Sequence, residues 1–150
     1  MKRLLPFLLL FAALPSNAAE HAHTSPAIPG TTLRLSAPEK AHVHAEMRLF
    51  LSGTQRIVSG IADNDMNRVA VAARELGMAA AHDVPASLRA KLPLAFKQLG
   101  QATHQGFDDL ARDAESLADA NHALQQLGKI MSNCVSCHAT YRLDATQARR

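Results

Sequence analysis

The segment Cys134-Val135-Ser136-Cys137-His138 contains both cysteines of the chain and lies close to its C-terminal end. On a helix, Cys134, Cys137 and His138 occupy positions i, i+3 and i+4, so their side chains share one face. Two thiols at this spacing can bind the two vinyl groups of a haem while the adjacent imidazole reaches the iron, and C-x-x-C-H is typical of c-type haem attachment. The sequence therefore predicts one covalent haem c.

Two other kinds of site contain a C-x-x-C pair. A thioredoxin-like redox dithiol is expected within a βαβ unit, and no strand pattern accompanies Cys134 and Cys137. A structural zinc site requires a second Cys/His pair at ligand spacing, and none follows this one. Haem attachment is therefore favoured over both.

The N-terminal residues have the pattern of a secretory signal peptide over residues 1–19. Lys2 and Arg3 precede an apolar run at residues 4–14 that is interrupted by Pro6, and residues 16–19 offer small side chains for cleavage. The apolar run is too short for a stable membrane-spanning helix. We therefore expect export to the periplasm, where haem is attached covalently, and no stable membrane insertion after cleavage.

The composition indicates a single domain rich in alanine and poor in aromatic side chains. The chain has 150 residues, no tryptophan and one tyrosine, Tyr141. This length is typical of one domain. The formal charge of +3 includes Lys2 and Arg3, so the mature chain is near neutral. Without a basic patch interleaved with aromatic residues, nucleic-acid binding is not expected.

Capping residues and prolines divide the remaining chain. Residues 20–35 are predicted to form an extended polar arm, and residues 36–150 the folded domain. Ser36 and Glu39 have the spacing of a helix-capping box, which starts the first helix. Residues 63–65 end it and begin a second helix, which Pro85 stops near residues 82–83. After a connector at 84–93 with a single helical turn, a third helix is predicted over 94–117, and a fourth from Asp119 or Asn121 to about residue 144.

Each predicted helix has one apolar stripe with steps of three and four residues. The predicted inward residues are Val43, Met47, Phe50, Thr54, Ile57 and Ile61; Val69, Ala72, Leu76 and Ala79; Phe96, Leu99, Thr103, Phe107, Leu110 and Ala114; and Leu124, Leu127, Met131, Cys134, His138 and Tyr141. Four amphipathic helices with short connections predict an all-α fold, an up-down-up-down antiparallel four-helix bundle with the haem on its C-terminal helix.

This order of elements resembles the class II cytochromes c, the cytochrome c-prime group and its low-spin relatives. The resemblance rests on the signal peptide, the four helices and the sequence Cys134-x-x-Cys137-His138-x-x-Tyr141-Arg142 close to the C-terminus. It implies that Cys134 and Cys137 form the thioethers and that His138 is the proximal iron ligand. It also implies that Tyr141 packs near the haem and that Arg142 lies beside the proximal imidazole.

In the resembled family, the identity of the distal ligand separates two functions. Low-spin members have a methionine ligand from the first helix, whereas high-spin members have an apolar residue there and bind small gases. Met47 lies on the inward stripe of the first helix, and His44 is a competing ligand one turn earlier. A Met47–His138 pair is typical of electron transfer.

The favoured function is therefore that of a periplasmic carrier of single electrons, not an enzyme, with transient redox-protein partners. The alternative is a five-coordinate haem protein that binds NO or CO. Peroxide chemistry is less favoured, because His44 is the only nearby candidate for a distal acid–base group. The alanine-rich second helix would permit a homodimer.

Overall fold

The computed structural model describes residues 30–145, except for the side chains of residues 82, 83 and 145. This part of the chain is mainly helical. Its elements are β1 (Thr31–Leu35), α1 (Ala37–Ala62), α2 (Met66–Arg74), a 3-10 helix (Met78–Asp83), α3 (Ala86–Lys91), α4 (Leu94–Leu117), α5 (Ala120–Thr140) and β2 (Tyr141–Ala145). The predicted signal peptide at residues 1–19 and the arm residues 20–29 lie outside the described residues. None of the described helices is long and apolar enough to cross a membrane.

The start of α1 confirms the predicted capping box. The Ser36 backbone N–H donates to Glu39 Oε2 at 2.8 Å, which satisfies a donor that has no partner within the helix. Lys91 Nζ, at the end of α3, donates to the same oxygen at 2.7 Å. These hydrogen bonds, first from Lys91 and then from Ser36, lower the pKa of Glu39 to about 2. The Glu39 side chain therefore takes part in the cap of α1 and also connects α1 with α3.

Replacing Glu39 by glutamine is expected to destabilise the protein at neutral pH, because the ion pair with Lys91 is lost. The stabilisation by Glu39 is complete above its ordinary pKa of 4.5 and is lost as the pH falls from there to about 2. Thermal unfolding of both proteins between pH 7 and pH 2 measures this, and the difference in Tm should disappear at the acidic end. Glu115→Gln, at an exposed ion pair, should change the Tm less. A difference for Glu39→Gln that does not vary with pH would contradict the assignment.

The break between α1 and α2 is confirmed, but the predicted length of α2 is wrong. Asp65 caps α2 by accepting a hydrogen bond from the Arg68 backbone N–H at 3.0 Å. The helix then ends at Arg74, not near residues 82–83. The Met78 N–H donates to Asp108 Oδ2 on α4 at 2.9 Å, and a Cβ at Gly77 would collide with the same carboxylate. This contact with α4 lies at the start of the 3-10 helix. The alanine-rich sequence alone had favoured a continuous α-helix through this segment.

The later boundaries are confirmed up to the end of α5. The short α3 is the predicted helical turn in the connector, α4 has the predicted bounds, and the Asp119 side chain caps α5. The fourth helix does not reach residue 144. It ends at Thr140, and the Tyr141 backbone N–H donates to the Cys137 carbonyl as the chain becomes extended.

A two-stranded parallel sheet is the main departure from the predicted all-α fold. β1 pairs with β2 so that Thr31 lies opposite Tyr141 and Leu35 opposite Ala145. Both strands alternate inward and outward side chains, the pattern of a half-buried strand. Gly30 precedes β1 with φ of 154°, and a Cβ there would lie 2.8 Å from the Thr140 carbonyl oxygen. The last part of the predicted polar arm, residues 30–35, is therefore an ordered strand beside the end of α5.

The buried side chains form two clusters. The first joins α1, α2, α4 and α5 through the following residues: Ile57, Met66, Val69, Ala70, Ala72, Ala73, Leu76, Phe107, Leu110, Ala111, Ala114, Ala123, Leu127 and Ile130. The second consists of Leu33, Leu35, Val43 and Leu88, against which Met47, Val84, Leu92, Phe96, Tyr141 and Leu143 pack. The sheet and α3 thus build a second core beside the start of α1.

The predicted stripes of α1 and α4 are confirmed, since all their members are buried or half-buried. On α2, the predicted Ala79 is exposed, because the helix has already ended. On α5, Leu124 is 54% exposed and Met131 48% exposed, and the buried residues are Ala123, Leu127 and Ile130. The inward face of α5 is therefore rotated by about one residue from the prediction, towards Cys137.

Candidate functional site

The C-x-x-C-H motif occupies the last two turns of α5. Cys134 is exposed and Cys137 half-buried, and neither forms a disulfide. His138 is exposed. The Cys134 thiol approaches the Ile130 carbonyl at 3.8 Å. The sequence placed Cys134 and His138 on the buried stripe, whereas the structure buries Cys137 more than either of them.

One cavity extends from this motif between α1, α4 and α5. It has a volume of about 430 Å³. We call it the His104 cavity, and its lining residues are Glu46, Met47, Phe50, Leu51, Thr54, Phe96, Leu99, Gly100, Thr103, His104, Met131, Asn133, Cys134, Cys137 and His138. Its walls are largely apolar, and Leu51, at 73% exposed, is one of the apolar side chains at its open side.

A second cavity lies where the start of α1 meets the end of α5 and β2. It has a volume of about 410 Å³. We call it the Arg142 cavity, and its lining residues are Lys40, Val43, His44, Met47, Phe96, Cys137, His138, Tyr141, Arg142 and Leu143. Met47, Phe96, Cys137 and His138 line both cavities, so the two spaces meet at these side chains.

The structure brings all the residues of the predicted site to these two cavities. Met47 and His138, on different helices, line both of them, and Cys134 lines the His104 cavity. His44 lines only the Arg142 cavity. The Tyr141 ring meets Phe96 edge-on, with ring centroids 5.3 Å apart. Arg142 Nε donates to Thr32 Oγ1 at 2.8 Å, so β1 fixes the direction of this guanidinium.

His104 lines the His104 cavity, whereas the sequence favoured only His44 as a distal acid–base group and placed His104 among surface or packing residues. It is 4% exposed. Its Nδ1 lies 2.7 Å from the Leu76 carbonyl oxygen and its Nε2 3.3 Å from Glu46 Oε1. Burial acts to lower the pKa of His104, but the hydrogen bonds to Glu46 and Leu76 outweigh it and raise the pKa. The sequence feature that could have indicated a buried His104 is its position beside Thr103 and one turn before Phe107, on the inward face of α4.

Burial raises the pKa of the Cys134 thiol and, together with the neighbouring Cys134, that of Cys137. Reactive redox dithiols have the opposite property, since helix N-termini and nearby cations lower their pKa. Here both cysteines lie in the C-terminal half of α5, where the helix dipole disfavours a thiolate. Among residues 30–145, no three side chains of His, Cys, Asp or Glu are grouped as a metal site. The surroundings of the two thiols therefore differ from those of a reactive redox dithiol.

The lining residues fit a covalently attached haem. Both thiols are free, and Cys137 is next to the imidazole of His138 at the junction of the two cavities. Phe50, Phe96 and Leu99 supply apolar contact surface. Gly100 faces open space, because a Cβ there would have no neighbour within 4 Å. A glycine at such a position lets a large flat ligand approach the helix backbone.

Comparisons of the chain with protein-family models, with curated proteins and with solved structures found no match.

Proposed function

We propose that this chain is a periplasmic c-type cytochrome that transfers single electrons between redox proteins. The observation that supports it most is the junction of the two cavities, where Cys137 and His138 of the attachment motif share a lining with Met47. Cys134 and Cys137 would hold one haem c through thioethers, and His138 and Met47 would be its axial ligands. The bound haem supplies an iron that gains or loses one electron.

The side chains around the junction have two functions in this proposal. A thioether opposite an imidazole raises the reduction potential of haem iron, and Met47 offers that thioether. Phe50, Leu99 and the buried part of Phe96 exclude water, and a less polar surrounding also changes the potential. The sheet fixes Tyr141 and Arg142 immediately after the attachment motif, which limits rearrangement when the charge of the site changes.

The helices support the proposed class as well. We infer that α1, α2, α4 and α5, which share the first core cluster, form the up-down-up-down four-helix bundle of the class II cytochromes c. The attachment motif near the C-terminus, followed by Tyr141 and Arg142, agrees with that class. The parallel sheet of β1 and β2 is an addition that the resemblance did not lead us to expect.

The His104 cavity favours a second candidate function, the binding of NO or CO. Its space of about 430 Å³ adjoins Met47 and is lined by Phe50 and Leu99, which are the apolar neighbours that a diatomic gas requires. If Met47 packs against the wall without binding iron, a gas has room to bind there. The two functions differ in whether the iron is five- or six-coordinate.

Replacing Met47 by alanine separates the two functions. In the electron carrier, the unmodified protein should show sharp low-spin absorption bands, a weak red band from sulfur ligation and no change with CO. Met47→Ala should become high-spin and bind CO completely, because the distal ligand is gone. Absorption spectra of the oxidised and reduced proteins, with and without CO, measure this.

Met131→Ala is the matched control. Met131 also lines the His104 cavity, but it lies on α5, one turn before Cys134. Its replacement should leave the low-spin spectrum unchanged. If the unmodified protein is high-spin and binds CO at once, gas binding replaces electron transfer as the function. If both variants keep the low-spin spectrum without the red band, His44 becomes the candidate ligand.

A further inference from the structure

The Arg142 cavity has a lining of one charge sign. Lys40 and Arg142 are its charged side chains, His44 and His138 accompany them, and no Asp or Glu is among the described residues that line it. The His104 cavity differs, because Glu46 is part of its wall. The Arg142 cavity, rather than the His104 cavity, is therefore the one whose opening attracts anions.

The two cations of this cavity have no carboxylate partner among the described residues. Within residues 30–145, neither Lys40 nor Arg142 forms an ion pair, whereas Lys91 pairs with Glu39 nearby. Arg142 is exposed and Lys40 half-exposed. The hydrogen bond from Arg142 Nε to Thr32 holds the guanidinium in place, so less side-chain entropy is lost when it binds a partner.

The chain segments around this cavity contain more cations than carboxylates. The segments 30–50, 84–100 and 141–145, which build the second core cluster and its surface, contain these cations: Arg34, Lys40, Arg48, Arg89, Lys91, Lys97 and Arg142. Their acidic residues are Glu39, Glu46 and Asp144. Residues 101–119 of α4 and its C-terminal turn have the opposite balance, with Asp108, Asp109, Asp113, Glu115 and Asp119 against Arg112 and against Arg74 of α2, which pairs with Glu115. Such a separation of charge orients a protein as it approaches a charged partner.

We propose that the opening of the Arg142 cavity, with Lys40 and Arg142 at its edge, is the docking surface for a redox protein that presents a cluster of Asp and Glu carboxylates. The proposal rests on the proposed function, because the opening matters for electron transfer only if His138 holds a haem. Charge complementarity suits a transient partner, since it speeds association without requiring a large buried interface. An acidic face at this opening would also lie next to the attachment motif, which shortens the distance for the electron.

The test uses the reduced haem-containing protein and two small oxidants of opposite charge. Hexacyanoferrate(III), a trianion, takes one electron from the protein and becomes hexacyanoferrate(II). Tris(phenanthroline)cobalt(III), a trication, becomes the cobalt(II) complex in the same way. Stopped-flow rates should fall with rising salt for the anion and rise for the cation. Lys40→Glu should lower the rate of oxidation by hexacyanoferrate(III) about threefold to tenfold at low salt. This effect should nearly disappear at high salt.

Lys129→Glu is the matched control, because it makes the same change of charge on α5. Lys129 is exposed and lines neither cavity, so its replacement should slow hexacyanoferrate(III) less than twofold by the same screening argument. A third measurement uses an acidic macromolecule: poly-glutamate should slow the reaction of the unmodified protein and affect Lys40→Glu less. Lys40→Gln, with an intermediate charge, should give an intermediate rate and guards against a folding defect in the glutamate variant.

The outcomes distinguish this proposal from the function on which it rests. Equal effects of Lys40→Glu and Lys129→Glu, or rates that do not depend on the charge of the oxidant, would overturn the docking surface and leave the cytochrome function intact. A purified protein without covalent haem would overturn both. Slowing that is specific to Lys40 and competition by poly-glutamate together would support an acidic partner.

Discussion

Replacing Cys134 and Cys137 together by serine is expected to abolish covalent haem binding. Serine hydroxyls do not form thioethers with haem vinyl groups, and these are the two cysteines of the chain. After expression with a c-type maturation system, the unmodified protein should retain haem in denaturing electrophoresis and the double variant should retain none. This all-or-none loss is the largest functional effect we expect of any substitution.

The control for the cysteine variant is the replacement of Ser132 and Ser136 by alanine on the same helix. Their hydroxyls donate to α5 carbonyls one turn earlier, at 3.2 and 2.8 Å, and both side chains are exposed. Removing such bonds on an exposed helix face changes stability little. This variant should therefore keep its covalent haem. Haem that remained attached to the Cys134→Ser, Cys137→Ser protein under denaturing conditions would refute the assignment of the motif.

Replacing Phe107 by alanine is expected to lower the free energy of unfolding by about 3–5 kcal/mol. Phe107 is 1% exposed, belongs to the first core cluster and stacks on Phe50 with ring centroids 5.8 Å apart. The loss combines buried apolar surface with a cavity that the surrounding helices cannot fill. Because a domain of this size is stable by about 5–15 kcal/mol in total, urea denaturation should show a strongly lowered midpoint or an unfolded protein.

Leu124→Ala is a control that also tests the corrected face of α5. The apolar pattern placed Leu124 inward, but the structure leaves it 54% exposed, so the substitution should change stability by no more than about 0.5 kcal/mol. A loss of stability comparable to that of Phe107→Ala would show that Leu124 is buried after all.

The haem spectrum of Phe107→Ala is a useful second measurement, since Phe107 stacks on Phe50 and Phe50 lines the His104 cavity.

Local signals in the sequence predicted most of the helix boundaries. Ser36 with Glu39, Asp65 and Asp119 supply capping side chains, and Pro85 and Pro93 confine α3. These signals act within one turn of a helix, so neighbouring residues suffice to detect them. The apolar stripes of α1 and α4 were equally predictable, because side chains three and four residues apart share a face.

The remaining features depend on contacts between residues far apart in the chain. The end of α2 depends on Asp108, which binds the backbone of Met78 from α4. The parallel sheet requires residues 31–35 to meet residues 141–145, and a local pattern does not identify such a partner. No strand pattern was identified from the sequence, because a five-residue alternation is weak evidence for a strand when no partner is known.

The candidate site was predicted in its residues but not in its surroundings. The spacing of the C-x-x-C-H motif indicated Cys134, Cys137 and His138, and the resemblance suggested Met47. The structure places all four side chains in the lining of the two cavities. The contact of His104 with Glu46 was not predicted, because the partner comes from another helix far away in the sequence. The sequence also gave no indication that Thr32 would orient Arg142.

The parallel pairing of β1 with β2 imposes an order on folding. Thr32 and Arg142 are 110 positions apart, so β1 has no strand partner until the end of the chain reaches it. Closing so large a loop costs entropy before its contacts compensate for it. The sheet therefore belongs to the late steps of folding, while the helices can form from local contacts. The cysteines precede β2 by a few residues, so the surroundings of both thiols are completed only in this late step.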